Sequence, residues 1–521
     1  MPRGGNWNRH EGTCVRPWGN SVRTALLCVS MVLCTATSAA MPSLRLLIDP
    51  GTAEVAIELP AHTPMSADGE AFTLGPGSWR VAARSVQPAT QRWRIFPKTF
   101  RLGEESAAEA YLAEWRAQGY TPELITLGRR HETASGAFLD NRIHWVALGH
   151  RPTEAAAREL VETLKTQGAW AWIRPERTAP GSGTVALLDA AGEARVEVPL
   201  PMTLDAQTPI AVTRGGTRRE YRGVVSIEAG VNGQLEVYLR VPFEDYLSGV
   251  LPGEMPANWP MEALKAQAVA ARSDTMAHLG LKHELEGYDF DDSEANRVYA
   301  GHGARHERTD AAVRETAGVV IAQGTRIVPA VFCSNAGGWT AANDTAWASP
   351  ADSALRPVGD FPAGANPAPG GPVAYGIDRW LTSRPPAHSS GDDRFYRWRE
   401  TRTQAELTRQ VNARHAVGTV QRIELGSRAS CGRLESVRVV GSTDTVTIRK
   451  ELPIRLAFGG LPSAMFILRQ ADRVYTFIGG GRGHGVGLCQ HGANGMAQAG
   501  HTYEAIVAHY FTGIELQRVR E

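Results

Sequence analysis

The chain has 521 residues, too many for one ordinary hydrophobic core, so two or three domains are expected. Hydrophobic residues make up 43% and charged residues 21%, and the mean hydropathy of -0.25 excludes a multispan membrane protein. A formal net charge of +1 supplies no global field to attract nucleic acid, which is set aside as a partner.

Residues 1–40 differ from the rest. Arg3, Arg9, Arg16 and Arg23 precede the apolar run Ala25 to Cys34, and small residues follow through Ala40, in the order of a signal peptide. The run is shorter than the ~20 apolar residues of a membrane span. Ser38 and Ala40 stand where small cleavage-site residues belong, so cleavage near Ala40 is expected, leaving no integral membrane span and a protein exported to the periplasm or cell envelope. Cys28 and Cys34 each follow a Leu, which argues against lipid anchoring. Of the six cysteines, Cys333, Cys431 and Cys489 remain in the mature chain, too few for a dense disulfide scaffold. One bridge plus a free thiol, partial metal ligation and three buried thiols stay open, with buried thiols preferred.

From Leu44 to Val86, short apolar runs broken at Asp49-Pro50-Gly51 and Gly75-Pro76-Gly77 predict small strands, a β-rich N-terminal segment over 41–90. An internal repeat follows. Trp93 to Phe96 leads to a helical stretch Ser106 to Gln118, then Gly119 and a strand Tyr120 to Ile125; Trp145 to Gly149 leads through Thr153, a plausible N-cap, to a helix Ala155 to Gln167, then Gly168 and a strand Ala169 to Ile173. Two such units back to back predict a split ferredoxin-like βαββαβ module over 91–176. In pattern this segment resembles the sporulation-related repeat (SPOR) domain, and the resemblance implies binding to peptidoglycan glycan stripped of its peptides; a generic spacer of the same fold is the competing reading. Alternation resumes between Gly181 and Arg240, and Phe361 to Pro372 reads as a surface loop. The fold class expected is α+β, multi-domain, with a mixed α/β domain over 181–521.

The stretch Val241 to Arg272, VPFEDYLSGVLPGEMPANWPMEALKAQAVAAR, carries the chemistry. Glu254 is predicted in a stiff turn between Pro252-Gly253 and Met255-Pro256, with Trp259 close by; apolar surroundings disfavour a carboxylate and raise its pKa, as a general acid near neutral pH requires. Asn258 is a candidate cap and Pro260 a first-turn residue of a helix running to about His278. Lys265 and Arg272, seven positions apart, would share one face of it, there to orient Glu254 or hold an anionic substrate group; a solvated helix face is the competing reading.

At these residues the sequence resembles the stage II sporulation protein D family, lytic transglycosylases of peptidoglycan and relatives first described as amidase enhancers. Tyr221-Arg222-Gly223, Phe332 to Thr340 (FCSNAGGWT), Cys431-Gly432-Arg433, Ile454-Arg455, Leu461-Pro462-Ser463 and Gly483 to Ala493 (GHGVGLCQHGA) fall in family order over roughly the last 300 residues. The resemblance implies Glu254 as catalytic acid/base, Lys265 in the active-site region, and His484 and Gln490 beside the substrate cleft. Asn335, Gly337 and Gly338 form a second polar, flexible patch that could line the same cleft, or a plain turn.

A hydrolytic glycosidase pairs two carboxylates, whereas a transglycosylase needs one, because the sugar's own 6-hydroxyl attacks the anomeric carbon. Asp245, Asp291 and Asp292 are the candidate second carboxylates, with surface solvation preferred for each. Some relatives bind zinc through Cys and His in the stretch that here runs Tyr288 to Gly301; this chain has Asp291, Ala295 and Asn296 instead, so no metal and no cofactor is expected, while Arg297, where Gln is usual, bears on local substrate contacts. The function expected is a peptidoglycan lytic transglycosylase cleaving the MurNAc-GlcNAc bond, with glycan strands as substrate and a cell-wall amidase as a second partner. The rival readings are a non-catalytic peptidoglycan-binding activator of such an amidase, and a metal-dependent hydrolase using Cys333, Cys489, His484 and His491.

Overall fold

The computed structural model describes residues 41–292, 299–362, 366, 368–384 and 393–520. The expected signal peptide and the positions Ala295, Asn296 and Arg297 lie outside them. The β-rich N-terminal segment forms strands β1 (Ser43–Thr52), β2 (Glu54–Leu59), β3 (Thr63–Ala67), β4 (Glu70–Leu74) and β5 (Gly77–Gln87). Their inward positions alternate, as Val55, Ile57 and Leu59 do in β2, so one face enters the core.

This segment does not stand alone, as the expected boundaries near 90 and 181 would have it. After β6 (Thr90–Phe96), β7 (Lys98–Arg101), α1 (Glu105–Ala117), β8 (Glu123–Leu127), β9 (Arg130–Glu132), β10 (Phe138–Asp140), β11 (Ile143–Ala147), β12 (His150–Arg151), α2 (Glu154–Thr166) and β13 (Trp172–Ala179), the chain rejoins the same sheet. It does so through β14 (Ser182–Leu188), β15 (Ala194–Pro199), β16 (Met202–Arg214), β17 (Thr217–Ala229) and β18 (Leu235–Pro242). The 11-stranded sheet has the order β15-β14-β5-β2-β16-β17-β18-β1-β19, where β19 is Phe290–Asp291 and β3 and β4 lie off the path. β5 pairs with β14 and β1 with β18, so residues 90–179 are an insertion between two halves of one sheet. The bounds of the insertion lie within a few residues of those expected, but local alternation gives no sign of which strand pairs with which, so the joining of its two flanks in one sheet was not legible in sequence.

Within the insertion both repeat helices appear within a residue of their expected bounds, and Thr153 Oγ1 accepts the Ala156 N–H of α2 at 3.3 Å. Strands pair as β13-β6-β12 and β7-β11-β8. Side chains alternate across the strands: Ile95, Val146 and Leu148 face α1 and α2, with Leu112, Trp115 and Leu164. Phe96, Trp145 and Ala147 face the other way and pack on Leu281 and Leu285 of the body.

Past β18 come α3 (Phe243–Glu254), α4 (Met261–His278), α5 (Glu307–Glu315) and β20 (Val319–Gln323). Residues 263–277 of α4 are buried except for Lys265, the mark of a core helix, and its alanines let neighbours approach closely. A C-terminal lobe has its own core, built from Leu407, Val437, Phe458, Phe466 and Phe477 between two three-stranded sheets. Of the loop expected over 361–372, Phe361 and Ala368 are buried and a short helix, Gly371–Tyr375, begins at its end. The class is α+β and β-rich, with several cores.

Candidate active site

Phe243, Tyr246, Leu247, Val250 and Leu251 recur at i, i+3, i+4, i+7 and i+8 along α3 and are all buried. Pro256 forces the residue before it toward an extended backbone, and Met255 has φ -141° and ψ 134°, which stops the helix. Glu254 is therefore the last helical residue rather than a member of a free-standing turn. It is half-buried between Leu251 and Met255, each 1% exposed, so the backbone that carries its carboxyl is anchored on both sides. Pro260 occupies the N-cap of α4 and no side chain caps that helix, so Asn258 does not have the expected capping role.

The glycine-dense C-terminal loop comes to this corner. Gln490, first residue of the helix Gln490–Gln498, is 8% exposed; its Nε2 donates to the main-chain carbonyl of Glu254 at 2.9 Å and to Gln267 Oε1 of α4 at 3.3 Å. His491 stands edge-on to Trp259, ring centroids 5.0 Å apart, and its main-chain N–H donates to the Ser334 carbonyl. Thus 254–259, 334–337 and 490–491, far apart in sequence, share one site.

Asp393 joins them and was not singled out from sequence. Its carboxylate accepts from Asn335 Nδ2 and from the Phe395 N–H, and Oδ2 lies 3.7 Å from His491 Nε2. The Asp393 side chain is 5% exposed and that of His491 30%, so a buried carboxylate backs a half-open imidazole. Nothing in the spacing of positions 393 and 491 could have signalled this pair.

Asn335 is fully buried; besides Asp393 it takes the Gly337 N–H on Oδ1 at 2.7 Å. Gly337 and Gly338 have φ of +74° and +95°, and a Cβ on them would sit 2.9 Å from the Gly480 carbonyl carbon and 2.8 Å from the Trp380 ring. They pack loop against loop. Arg433 of the CGR motif, fully buried, donates to the carbonyls of Ala336 and Trp339 and holds this loop from behind.

His484 accepts the Val486 N–H on Nδ1 at 3.0 Å, hydrogen-bonds the Phe332 backbone and lies 4.9 Å from the Trp347 ring. Desolvation, with nearby Arg433, pushes its pKa down to about 4, so it is neutral at physiological pH and fixes the loop. Lys265 pairs with Glu315 at 2.8 Å and Glu262 at 3.0 Å, and the hydrogen bond it donates to the Glu315 carboxylate raises its pKa. Glu262 in turn accepts the Tyr503 N–H, so this ammonium braces α4.

Arg272 is fully buried. Its Nε and Nη2 reach Glu244 at 2.9 and 2.7 Å, and the remaining bonds go to the carbonyls of Val313 and Val319 and to Thr316. The place that sequence reasoning gave to a substrate anion is taken by Glu244, and Arg272 ties α3, α4, α5 and β20 together. Among the candidate second carboxylates, Asp245 pairs with Arg305, and Asp291 lies 3.9 Å from His283 Nε2. Asp292, expected in solvent, is 8% exposed between Arg214 and Arg219. Cys333, Cys431 and Cys489 are free and buried; burial pushes the Cys333 thiol up to about 12 and that of Cys489 well up. Among the described residues, no three His, Cys, Asp or Glu side chains gather as a metal-holding group.

A half-buried glutamate at a helix end, clasped by a glycine-dense loop within an α+β body, defines the class of site. Residues 231–322, which span α3, α4 and α5, match the family model described as Stage II sporulation protein (SpoIID), and residues 377–487 match a domain of unknown function (DUF8618). An uncharacterized protein of Brachyspira hyodysenteriae is 29% identical over 288 residues, 55% of this chain and 69% of that one. The amidase enhancer of Bacillus subtilis is 28% identical over 299 residues, 52% of this chain and 40% of that one. Stage II sporulation protein D of Bacillus subtilis is 27% identical over 296 residues, 53% of this chain and 74% of that one. Over these stretches the chain is similar to proteins of the SpoIID family. Among the described residues, no helix is long and apolar enough to cross a membrane.

Proposed function

We propose that this protein is an exported peptidoglycan lytic transglycosylase that cleaves the MurNAc-GlcNAc bond of glycan strands, with Glu254 as the single acid/base. The observation that carries the reading is the Gln490 bond to the Glu254 carbonyl, which seats the end of α3 against the C-terminal loop. In the first half of the reaction the Glu254 carboxyl gives its proton to the glycosidic oxygen as the C1–O bond breaks. In the second, the carboxylate takes the proton of the muramic acid 6-hydroxyl as that oxygen closes on C1, leaving a 1,6-anhydro end and a regenerated acid. Gln490, Gln267 and Lys265 position the elements that carry Glu254. The strand order β13-β6-β12 and β7-β11-β8, with both helices on one side, supports the SPOR-like reading of the insertion.

Mass spectrometry of sacculi digested with wild type and with Glu254→Gln tests the reading. Anhydromuramic ends should form with wild type alone, and ordinary reducing ends would overturn it in favour of hydrolysis. A second reading, a non-catalytic activator of a cell-wall amidase, is favoured by the relative named amidase enhancer. It predicts no glycan cleavage and a faster amidase in the mixed digest, insensitive to Glu254→Gln.

A further inference from the structure

His491 is held on three sides. Its main-chain N–H is fixed on the Ser334 carbonyl, its ring meets the Trp259 indole edge-on with centroids 5.0 Å apart, and Nε2 lies 3.7 Å from Asp393 Oδ2. Each neighbour is itself fixed. Arg308 donates to the main-chain carbonyls of Ala257 and Trp259, both at 2.8 Å, and the Trp259 ring packs against the main core. The Asp393 carboxylate takes hydrogen bonds from Asn335 Nδ2 and the Phe395 N–H, and Asn335 is fully buried. The imidazole is thus oriented before any ligand arrives.

The same contacts give the two ring nitrogens different tasks. Among the described residues, no Lys or Arg side chain pairs with the Asp393 carboxylate, which is 5% exposed and has His491 as its ion-pair partner. An anion so poorly hydrated favours a proton on the nitrogen that faces it, Nε2, and a contact of 3.7 Å is of the kind that tightens when substrate closes a site. Nδ1 is left over. It makes no hydrogen bond to a described residue, while 30% of the side chain meets solvent. In the neutral ring Nδ1 accepts a hydrogen bond, and in the charged ring it donates one. A hydroxyl suits both states, because it donates to the first and accepts from the second; a carboxylate suits only the charged ring. The neighbouring residue, Gln490, bonds the Glu254 carbonyl, so this nitrogen opens beside the end of α3.

We propose that His491 is a glycan-contact residue of the Glu254 site, oriented by Asp393 and offering Nδ1 to a sugar hydroxyl. The proposal rests on the reading of cell-wall glycan as substrate. It assigns two adjacent residues opposite duties: Gln490 is 8% exposed and braces α3 from within, whereas His491 faces outward and touches the ligand.

The test titrates soluble glycan-strand fragments, by calorimetry, into the full chain carrying Glu254→Gln, so that binding is read without cleavage. His491→Phe keeps a flat ring without its nitrogens and should weaken affinity about 3–10-fold, the worth of one hydrogen bond. His491→Asn, whose amide reaches the position of Nδ1, should recover most of that loss, and His491→Gln, whose amide reaches the position of Nε2, should not. Asp393→Asn should weaken binding as well, yet lose no more together with His491→Phe than His491→Phe loses alone, because both act through one contact. With Glu254 restored, His491→Phe should raise KM more than it lowers kcat. Unchanged affinity in His491→Phe overturns the proposal, and so does a lowered Tm with affinity intact, which makes the ring a structural part only. Where His491→Phe folds poorly, the Asn and Gln variants decide, and equal affinities for the two overturn the contact at Nδ1. Additive losses in the double variant overturn the orienting role of Asp393. Failure of the transglycosylase reading shows separately, as a wild-type digest without anhydro ends, and leaves the binding result standing.

Discussion

Replacing Arg272 with alanine separates a brace from a substrate contact. The side chain is fully buried, makes two bonds to Glu244 and three to groups on the α5 and β20 side, and has no hydrogen-bond donor directed at a cleft. Removing one partner of a buried pair costs ~3–5 kcal/mol. Glu244, with 26% of its side chain exposed and a bond from the Gly318 N–H, recovers some hydration, which places the loss toward the lower end of that range. For a unit of ~150–250 residues each kcal/mol lowers Tm by about 2–4 °C, so Arg272→Ala should unfold roughly 6–15 °C earlier by circular dichroism. Arg272→Lys should recover little, since an ammonium cannot reproduce the two-pronged contact with Glu244. A variant with unchanged Tm and a raised KM for glycan would refute the brace and restore the anion-binding role.

Glu254→Gln should lower kcat for glycan cleavage ~10²–10⁴-fold, the usual worth of a general acid, with folding intact by circular dichroism. Gln490→Ala should lower kcat more than it raises KM in the same assay, because it releases the end of α3 without touching the carboxyl. Burial, then Arg129, pushes the His131 pKa down to about 4, against 6.5 when unfolded. Below pH 6.5 the unfolded chain therefore takes up a proton that the native one refuses, and stability should fall by of order 3 kcal/mol between pH 6.5 and 4; urea denaturation of His131→Asn should show a flatter acid limb. The buried thiols of Cys333, Cys431 and Cys489 should resist a thiol reagent in the native protein and react together in denaturant.

Features written in local periodicity were legible. Both repeat helices, the Thr153 cap, the long helix ending at His278 and the alternating strands follow from residues a few positions apart. The motif around Glu254 was legible as a set of residue types, although the helix ends on that glutamate because Pro256 makes Met255 extended. The roles of Lys265 and Arg272 were not. A helical face shows that two cations are neighbours, but whether they meet solvent, substrate or carboxylate depends on Glu244, Glu262 and Glu315, which sequence spacing cannot place.

Taken alone, the sequence determined the secondary elements and the chemical inventory of the site, because short-range sterics and hydrophobic periodicity act along the chain. Only the tertiary structure decided that residues 41–90 complete a sheet begun again at 182, that Asp393 backs His491, and that the aromatic face of the insertion is closed. Those three depend on pairing, burial and desolvation between segments about a hundred or more residues apart, and no local pattern carries that information.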